Sequence, residues 1–193
     1  MLKIVLFVLA GVFFICSDLA AQGYDYVLFK KHDPKKDPNL NPLANPRINP
    51  DSNMMINPAY NWNINPLHNE QANPSTNKSI NPLNNHDLNP QVNEVLNPVF
   101  MKSLLPANPS WNGLFMFSNS NEIFGYITAA SQNVMVSFDN SGVWNGYFVR
   151  VSNSLYNYFN VTGVWTGMFL CYDSSSGYNL FDKTGKWTGM HVK

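Results

Sequence analysis

The stretch FDNSGVWNG at residues 138–146 recurs as FNVTGVWTG at 159–167 and as FDKTGKWTG at 181–189. The copies are 21 and 22 residues apart, and WNG at 111–113 reads as a half-copy in front of them. Asp or Asn followed three residues later by Gly is typical of a type I turn. The segments between the turns, such as VMVSF at 134–138 and YFVRV at 147–151, have the alternating or β-branched composition of strands. We therefore predict that residues 111–193 form an all-β domain, an antiparallel meander of repeated β-hairpins.

This repeat resembles three known families. SGYNLFDKTGKW at 176–187 is similar to the bacterial WG-type β-repeat, although Asn179 stands where that repeat has Gly and Thr-Gly follows the Trp. The Gly-x-Trp-x-Gly core resembles membrane occupation and recognition nexus repeats without their second Gly-x-Gly element. YNYFNVTG at 156–163 resembles choline-binding cell-wall repeats. All three families are non-catalytic arrays of β-hairpins, so the resemblance implies a binding or structural protein and leaves the ligand open.

A different repeat occupies residues 32–110, where the octad [Ile/Leu]-Asn-Pro-x-x-Asn-x-x recurs from Leu40 to Leu96. Asn stands at every fourth position from Asn41 to Asn97, 15 times without a gap. All 13 prolines precede residue 110, whereas nine of the 11 glycines follow it. This change of turn residue predicts a boundary near residue 110.

Two structures fit this octad array. Proline every eight residues excludes an α-helix. One aliphatic residue per octad offers little core and favours an extended, weakly ordered tether. The unbroken Asn spacing favours a thin solenoid instead, with one octad per coil, Asn stacked on Asn and the Ile/Leu column inside. Because the aromatic residues are concentrated after residue 110, we expect residues 111–193 to unfold cooperatively on their own and the array alone to show no such transition.

The first 22 residues have the pattern of a secretory signal peptide. A short basic start is followed by 13 uncharged, mostly apolar residues at 4–16 and by the small residues of SDLAAQ at 17–22. The apolar stretch is too short for a membrane span, and no later segment is long enough for one. We predict cleavage near Ala21 or Gln22, a linker at 23–31, and a secreted or cell-surface protein (periplasmic in a Gram-negative source). The alternative is a lipoprotein signal with Cys16 as the lipidated residue, which the bulky Phe14 and Ile15 disfavour.

The charge and motif content exclude several classes of function. Twelve basic residues balance 12 acidic ones, so the basic stripe that a nucleic-acid binder needs is missing. The four histidines, His32, His68, His86 and His191, do not have metal-ligand spacing. No nucleophile elbow, zinc-protease helix or phosphate-binding loop occurs in the sequence. We therefore expect no enzyme activity, no cofactor and no metal site.

Three further residues have two interpretations each. Asp139 and Asp182 occupy the same turn position, which Asn160 fills in the middle copy, so turn formation is favoured over a catalytic carboxylate pair. Cys171 is the only cysteine after the signal peptide. It is expected to be a small strand residue, and the alternative is an intermolecular disulfide.

The aromatic residues of the hairpins are the candidate ligand-binding residues. They can pack across the hairpins as core, or they can stack on sugar rings or enclose a quaternary ammonium group. The candidates are Trp144, Trp165, Trp187, Tyr147, Tyr156, Tyr158, Tyr172 and Tyr178. The function expected from these features is a binding module for a glycan or a protein partner, carried on the octad spacer. The alternative is a structural or adhesive component that self-associates through Asn ladders and exposed strand edges; a membrane-surface role ranks third because no basic patch supports it.

Overall fold

Eight antiparallel strands follow residue 113 in the computed structural model, which describes residues 33–173, 175 and 177–193. The strands are β1 (Leu114–Phe117), β2 (Ile123–Ala129), β3 (Val134–Asp139), β4 (Trp144–Ser152), β5 (Leu155–Asn160), β6 (Trp165–Tyr172), β7 (Tyr178–Asp182) and β8 (Trp187–Val192). Each strand pairs with the next, and β1 also pairs with β8, so the meander closes into a barrel. The predicted all-β meander is confirmed. The predicted signal peptide and linker lie outside the described residues.

Four hairpin copies build the barrel, one more than the sequence indicates. The additional copy is FSNSNEIFG at 117–125, which aligns without a gap with 138–146. In it Asn121 takes the left-handed position (φ 67°) that Gly142, Gly163 and Gly185 hold in the other copies (φ 84°, 82° and 93°). Asn tolerates this conformation better than other residues with a Cβ do. The half-copy at 111–113 precedes β1, whereas the Trp of each of the three sequence copies opens the second strand of its hairpin. The ring of Trp111 packs at 4.4 Å from that of Phe115.

One apolar cluster fills the barrel. Its fully buried members come from six strands: Met116, Ile127, Phe148, Leu170, Leu180 and Val192. Partly buried Met135 of β3 and Tyr156 and Tyr158 of β5 complete the set of strands. A cluster to which all eight strands contribute lies on the barrel axis.

The outer face of the barrel is buried as well. Tyr147 and Phe148 are neighbours in β4 and point to opposite faces, yet both are 0% exposed. Phe169, Leu170 and Cys171 of β6 are also buried in succession. Strands that are apolar on both faces need cover on both, and the octad array supplies the outer cover.

The octad array is a succession of four-residue turns, most of which begin at an Asn. In one octad, the carbonyl of Asn81 accepts the N–H groups of Asn84 and Asn85 at 3.0 and 2.8 Å. Seven of these turns tighten into short 3₁₀ helices in the described chain: Pro46–Ile48, Met54–Ile56, Glu70–Ala72, Lys78–Ile80, His86–Leu88, Glu94–Leu96 and Lys102–Leu104. The array therefore has the coiled structure and not the extended one.

The Asn side chains connect successive turns. The Oδ1 atom of Asn85 accepts the N–H of Asp87 within its own turn at 3.2 Å, while its Nδ2 donates to the carbonyl of Ser79 at 2.9 Å. Asn81 does the same with Leu83 and Pro74, both at 2.9 Å. Each such amide thus caps one turn and bonds to an earlier one, which explains why Asn recurs at every fourth position.

The aliphatic column faces the barrel and not the inside of a solenoid. Ile80 and Leu88 are buried against outward residues of β2–β5, among them Tyr126 and Tyr147. Ile64 is buried against outward residues of β5–β7: Leu155, Phe169, Cys171 and Phe181. The apolar outer face of the barrel thus supplies the core that each octad lacks by itself.

The array makes a circuit around the outside of the barrel, opposite to the strand order. The start of the array contacts the β1–β2 loop, where Lys35 bonds to Asn119, and then β7, where Leu40 bonds to Asn179. Its middle contacts the β7–β8 turn through Asn57 and Thr184, and β5 through Ile64 and Asn157. Further along, Leu88 packs on the outer face of β2–β5, and Trp111, just after the array, packs on Phe115 of β1 and Tyr126 of β2. Architecture changes near residue 110, where the composition changes, but two of the three apolar clusters contain residues from both segments.

Candidate binding surface

The three repeated tryptophans pack where the hairpins meet the array. Trp144, Trp165 and Trp187 are partly buried against the outer clusters. Their indole Nε1 atoms donate to backbone carbonyls of Gly146, Met168 and Met190 at 2.8, 3.1 and 3.1 Å. These contacts fix the start of each strand after its turn. They support the structural interpretation, and a role in ligand binding remains a prediction.

Two of the five candidate tyrosines are enclosed by other side chains. Tyr147 lies beneath the array and stacks on Phe159 at 5.6 Å, and burial raises the pKa of its phenol. Tyr158 lies against the barrel interior and stacks on Phe148 at 4.4 Å, and burial raises its pKa as well. Tyr147 is therefore closed to a ligand, and Tyr158 is only partly exposed.

The other three tyrosines come together at the end of the barrel that bears the β4–β5 and β6–β7 loops. The ring of Tyr178 contacts those of Tyr156 and Tyr172 edge-on, at 5.7 and 5.8 Å. Burial, reinforced by the two neighbouring phenols and opposed by Arg150, raises the pKa of Tyr178 to about 12. Arg150 is held by the carbonyl of Ser152 at 3.2 Å and by Asn153 at 2.7 Å. This group is half-buried and well fixed.

The turn carboxylates are used within their own turns. Oδ1 of Asp139 accepts hydrogen bonds from the hydroxyl and N–H of Ser141 at 2.6 and 2.9 Å, and Asp182 does the same with Thr184 at the same distances. Partial burial alone would raise the pKa of both groups, but these hydrogen bonds lower it below the ordinary value. The two residues therefore behave as turn residues. Within the described chain no three His, Cys, Asp or Glu side chains are placed to hold a metal ion.

The most exposed aromatic side chains lie on the array, whereas the predicted ligand residues all lie in the hairpins. Trp62 and Tyr60 are 67% and 62% exposed. The imidazole of His68 lies almost parallel to the indole of Trp62, with centroids 4.8 Å apart and planes inclined by 18°. We call Tyr60, Trp62 and His68 the aromatic platform. A signal was present in the sequence, since residues 52–69 carry no Lys, Arg, Asp or Glu and the three rings occupy positions of the octad outside its Ile/Leu and Asn columns.

A cleft of about 230 Å³ opens close to the platform, between the array and the β5–β6 turn. The array contributes Pro66, Leu67, Asn73 and Ser75, and the barrel contributes Phe159, Gly163, Val164 and Trp165. Trp165, one of the predicted ligand residues, thus lines an accessible depression.

None of the family models, curated proteins or solved structures compared with the chain matches it. In the described residues no helix has the length and apolar character needed to cross a membrane. The platform and the cleft beside it form an apolar surface built by the octad array, with one edge supplied by the barrel.

Proposed function

We propose that this chain is a secreted or cell-surface, non-enzymatic protein that binds a glycan or a protein partner through the octad array. One observation carries the proposal: of the 13 large apolar side chains that are exposed in the described residues, 11 lie on the array. They include Met54, Met55, Tyr60, Trp62 and Leu67, all within 14 residues of one another. Apolar side chains concentrated in this way on a soluble surface are typical of an interaction site.

This distribution of exposed side chains gives the barrel and the array different roles. The barrel is packed on both faces and holds the array in place, while the array presents the side chains that meet solvent. The resemblance of the hairpins to three families of non-catalytic β-repeats supports a binding role for the assembly. The secreted location depends on the signal-peptide pattern of residues 1–22.

Self-association as a structural component is the second candidate. Strand edges do not favour it, because all eight described strands are paired on both sides in the closed barrel. Association of copies would instead have to use the exposed apolar residues of the array.

Sedimentation velocity over a wide concentration range, combined with a glycan array, separates the two functions. We expect a monomer that binds ligand, and weaker binding when Met55 and Leu67 are both replaced by Gln. Val143→Gln is the matched control, because Val143 is similarly exposed but belongs to the β3–β4 turn of the barrel. Concentration-dependent polymers that bind no ligand would contradict the proposal.

A further inference from the structure

We propose that the aromatic platform binds a neutral sugar, with a pyranose ring stacked on the open face of Trp62. This inference depends on the proposed function and specifies its site and ligand class. One face of the indole is covered by His68, whose ring lies nearly parallel to it. Because Trp62 is still 67% exposed, the opposite face of its indole is available, and Tyr60, two residues earlier in the chain, is 62% exposed.

The backbone beneath the platform is already fixed. Asn61 precedes Trp62, accepts the N–H of Asn63 at 3.1 Å and donates to the carbonyl of Met55 at 2.6 Å. Asn69 follows His68 and donates to the carbonyl of Asn63. The turns that carry both stacked rings are thus linked to each other and to the preceding octad. A preorganised surface loses little conformational entropy when a ligand binds, which suits the small contact area of a single sugar ring.

The surroundings select for a neutral, hydroxyl-rich ligand. The segment that carries the platform has no Lys or Arg between Arg47 and Lys78 to pair with an acidic sugar, and no Asp or Glu between Asp51 and Glu70 to pair with a basic one. The side chain of Asn63 is exposed beside Trp62, and its amide forms no hydrogen bond with the described residues. A side-chain amide carries both donors and acceptors and can therefore pair with sugar hydroxyls. An aromatic face bordered by a neutral amide matches the apolar face and the hydroxyl rim of a pyranose.

The test measures binding of the full protein to a panel of neutral hexose and N-acetylhexosamine oligosaccharides, with charged glycans beside them, by glycan array and titration calorimetry. We expect at least one to bind, Trp62→Ala to lower the affinity about tenfold or more, and Trp62→Phe to retain part of it. Phe100→Ala is the matched control and should leave the affinity unchanged, because Phe100 is 64% exposed and occupies the same octad position as Tyr60. All three variants should keep the wild-type melting temperature, since the replaced side chains are mostly exposed.

Three results would overturn the inference. If no neutral sugar binds, the ligand class is wrong, and the proposed function then depends on a protein partner. If a sugar binds equally well to Trp62→Ala, the site is wrong although the proposed function stands. If only charged glycans bind, and salt weakens the binding, the neutral-sugar assignment fails.

Discussion

The side-chain amide of Asn157, at the centre of β5, donates a hydrogen bond of 2.8 Å to the backbone carbonyl of Ile64 in the octad array. Asn157 is completely buried on the outer face of the barrel. Asn179 in β7 makes the equivalent bond of 2.9 Å to the carbonyl of Leu40. Two polar side chains on the outer face of the barrel thus hold the array at a defined register.

Replacing Asn157 with Leu should destabilise the protein by about 1–3 kcal/mol, because the buried carbonyl of Ile64 loses its donor. Denaturant unfolding of the whole chain measures the change. Asn84→Leu is the control, since Asn84 is an exposed array residue whose side chain forms no hydrogen bond with the described residues; it should stay within about 0.5 kcal/mol of wild type. Equal effects of the two substitutions would show that the Asn157–Ile64 bond does not hold the array.

Gly185→Ala should be among the most damaging substitutions in the turns. Gly185 has φ 93°, a conformation that costs a residue with a Cβ about 1–2 kcal/mol. The new methyl group would also overlap the amide of Asn57, which donates to the carbonyl of Thr184 at 3.0 Å. We therefore expect a larger loss than for Gly142→Ala, whose new methyl group would meet only ordinary van der Waals contacts. Thermal melts should rank Gly185→Ala below Gly142→Ala, with Asn121→Gly close to wild type; the reverse order would refute the contact with the array.

Stability should fall as the pH drops below about 4, the ordinary range of an Asp side chain. The pKa values of Asp139 and Asp182 are lowered in the folded state. Such groups contribute stability that is complete above the unfolded pKa and is lost as the pH falls through the folded pKa.

The double variant Asp139→Asn, Asp182→Asn should therefore lose less stability than wild type between pH 5 and pH 2. Asn160 already forms the same turn, with Oδ1 accepting from Thr162 and Val164 at 3.0 and 2.9 Å, so the variant should fold. An unchanged pH dependence would show that other groups control acid unfolding.

Cys171 should react with thiol reagents only when the protein unfolds. Its side chain is 2% exposed, and burial, together with the carboxylate of Asp173, raises the pKa of the thiol to about 12. The same burial disfavours an intermolecular disulfide in the folded protein. Mass spectrometry of the labelled Cys171 peptide at pH 8 should show a rate that follows unfolding when denaturant is added. Rapid labelling under native conditions would place the thiol at the surface.

The sequence predicted the hairpins but only three of the four copies. The Gly-x-Trp-x-Gly motif marks the turns of those three, and the residues between the turns alternate with the period of two that strands have. The first copy was missed because Asn121 replaces Gly and Ile123 replaces Trp, although both are physically suited to their positions. The unbroken Asn spacing indicated ordered turns correctly, since these side chains accept a hydrogen bond within their own turns and most of them also donate to an earlier turn, which a flexible tether would not need.

The placement of the array could not be read from its own residues. One aliphatic residue per octad is too little for an independent core, and Ile64 or Ile80 gives no sign that its partner is a barrel that begins only at Leu114. For the same reason the predicted ligand residues were all barrel aromatics and did not include Tyr60 and Trp62. The array covers the outer face of the barrel on which Tyr147 lies, so the exposed aromatic side chains are those of the array.

The central claim is that array and barrel form one cooperative unit, and denaturant unfolding of the full chain beside residues 111–193 alone tests it most directly. The composition predicted that the shorter piece would fold by itself, but the packing of Tyr147, Phe159, Phe169 and Phe181 beneath the array argues for the opposite result. We expect a single transition for the full chain, with an m-value appropriate to unfolding of all the described residues, and a broad, non-cooperative transition for the fragment. A fragment that unfolds as sharply and at the same denaturant concentration as the full chain would contradict the account.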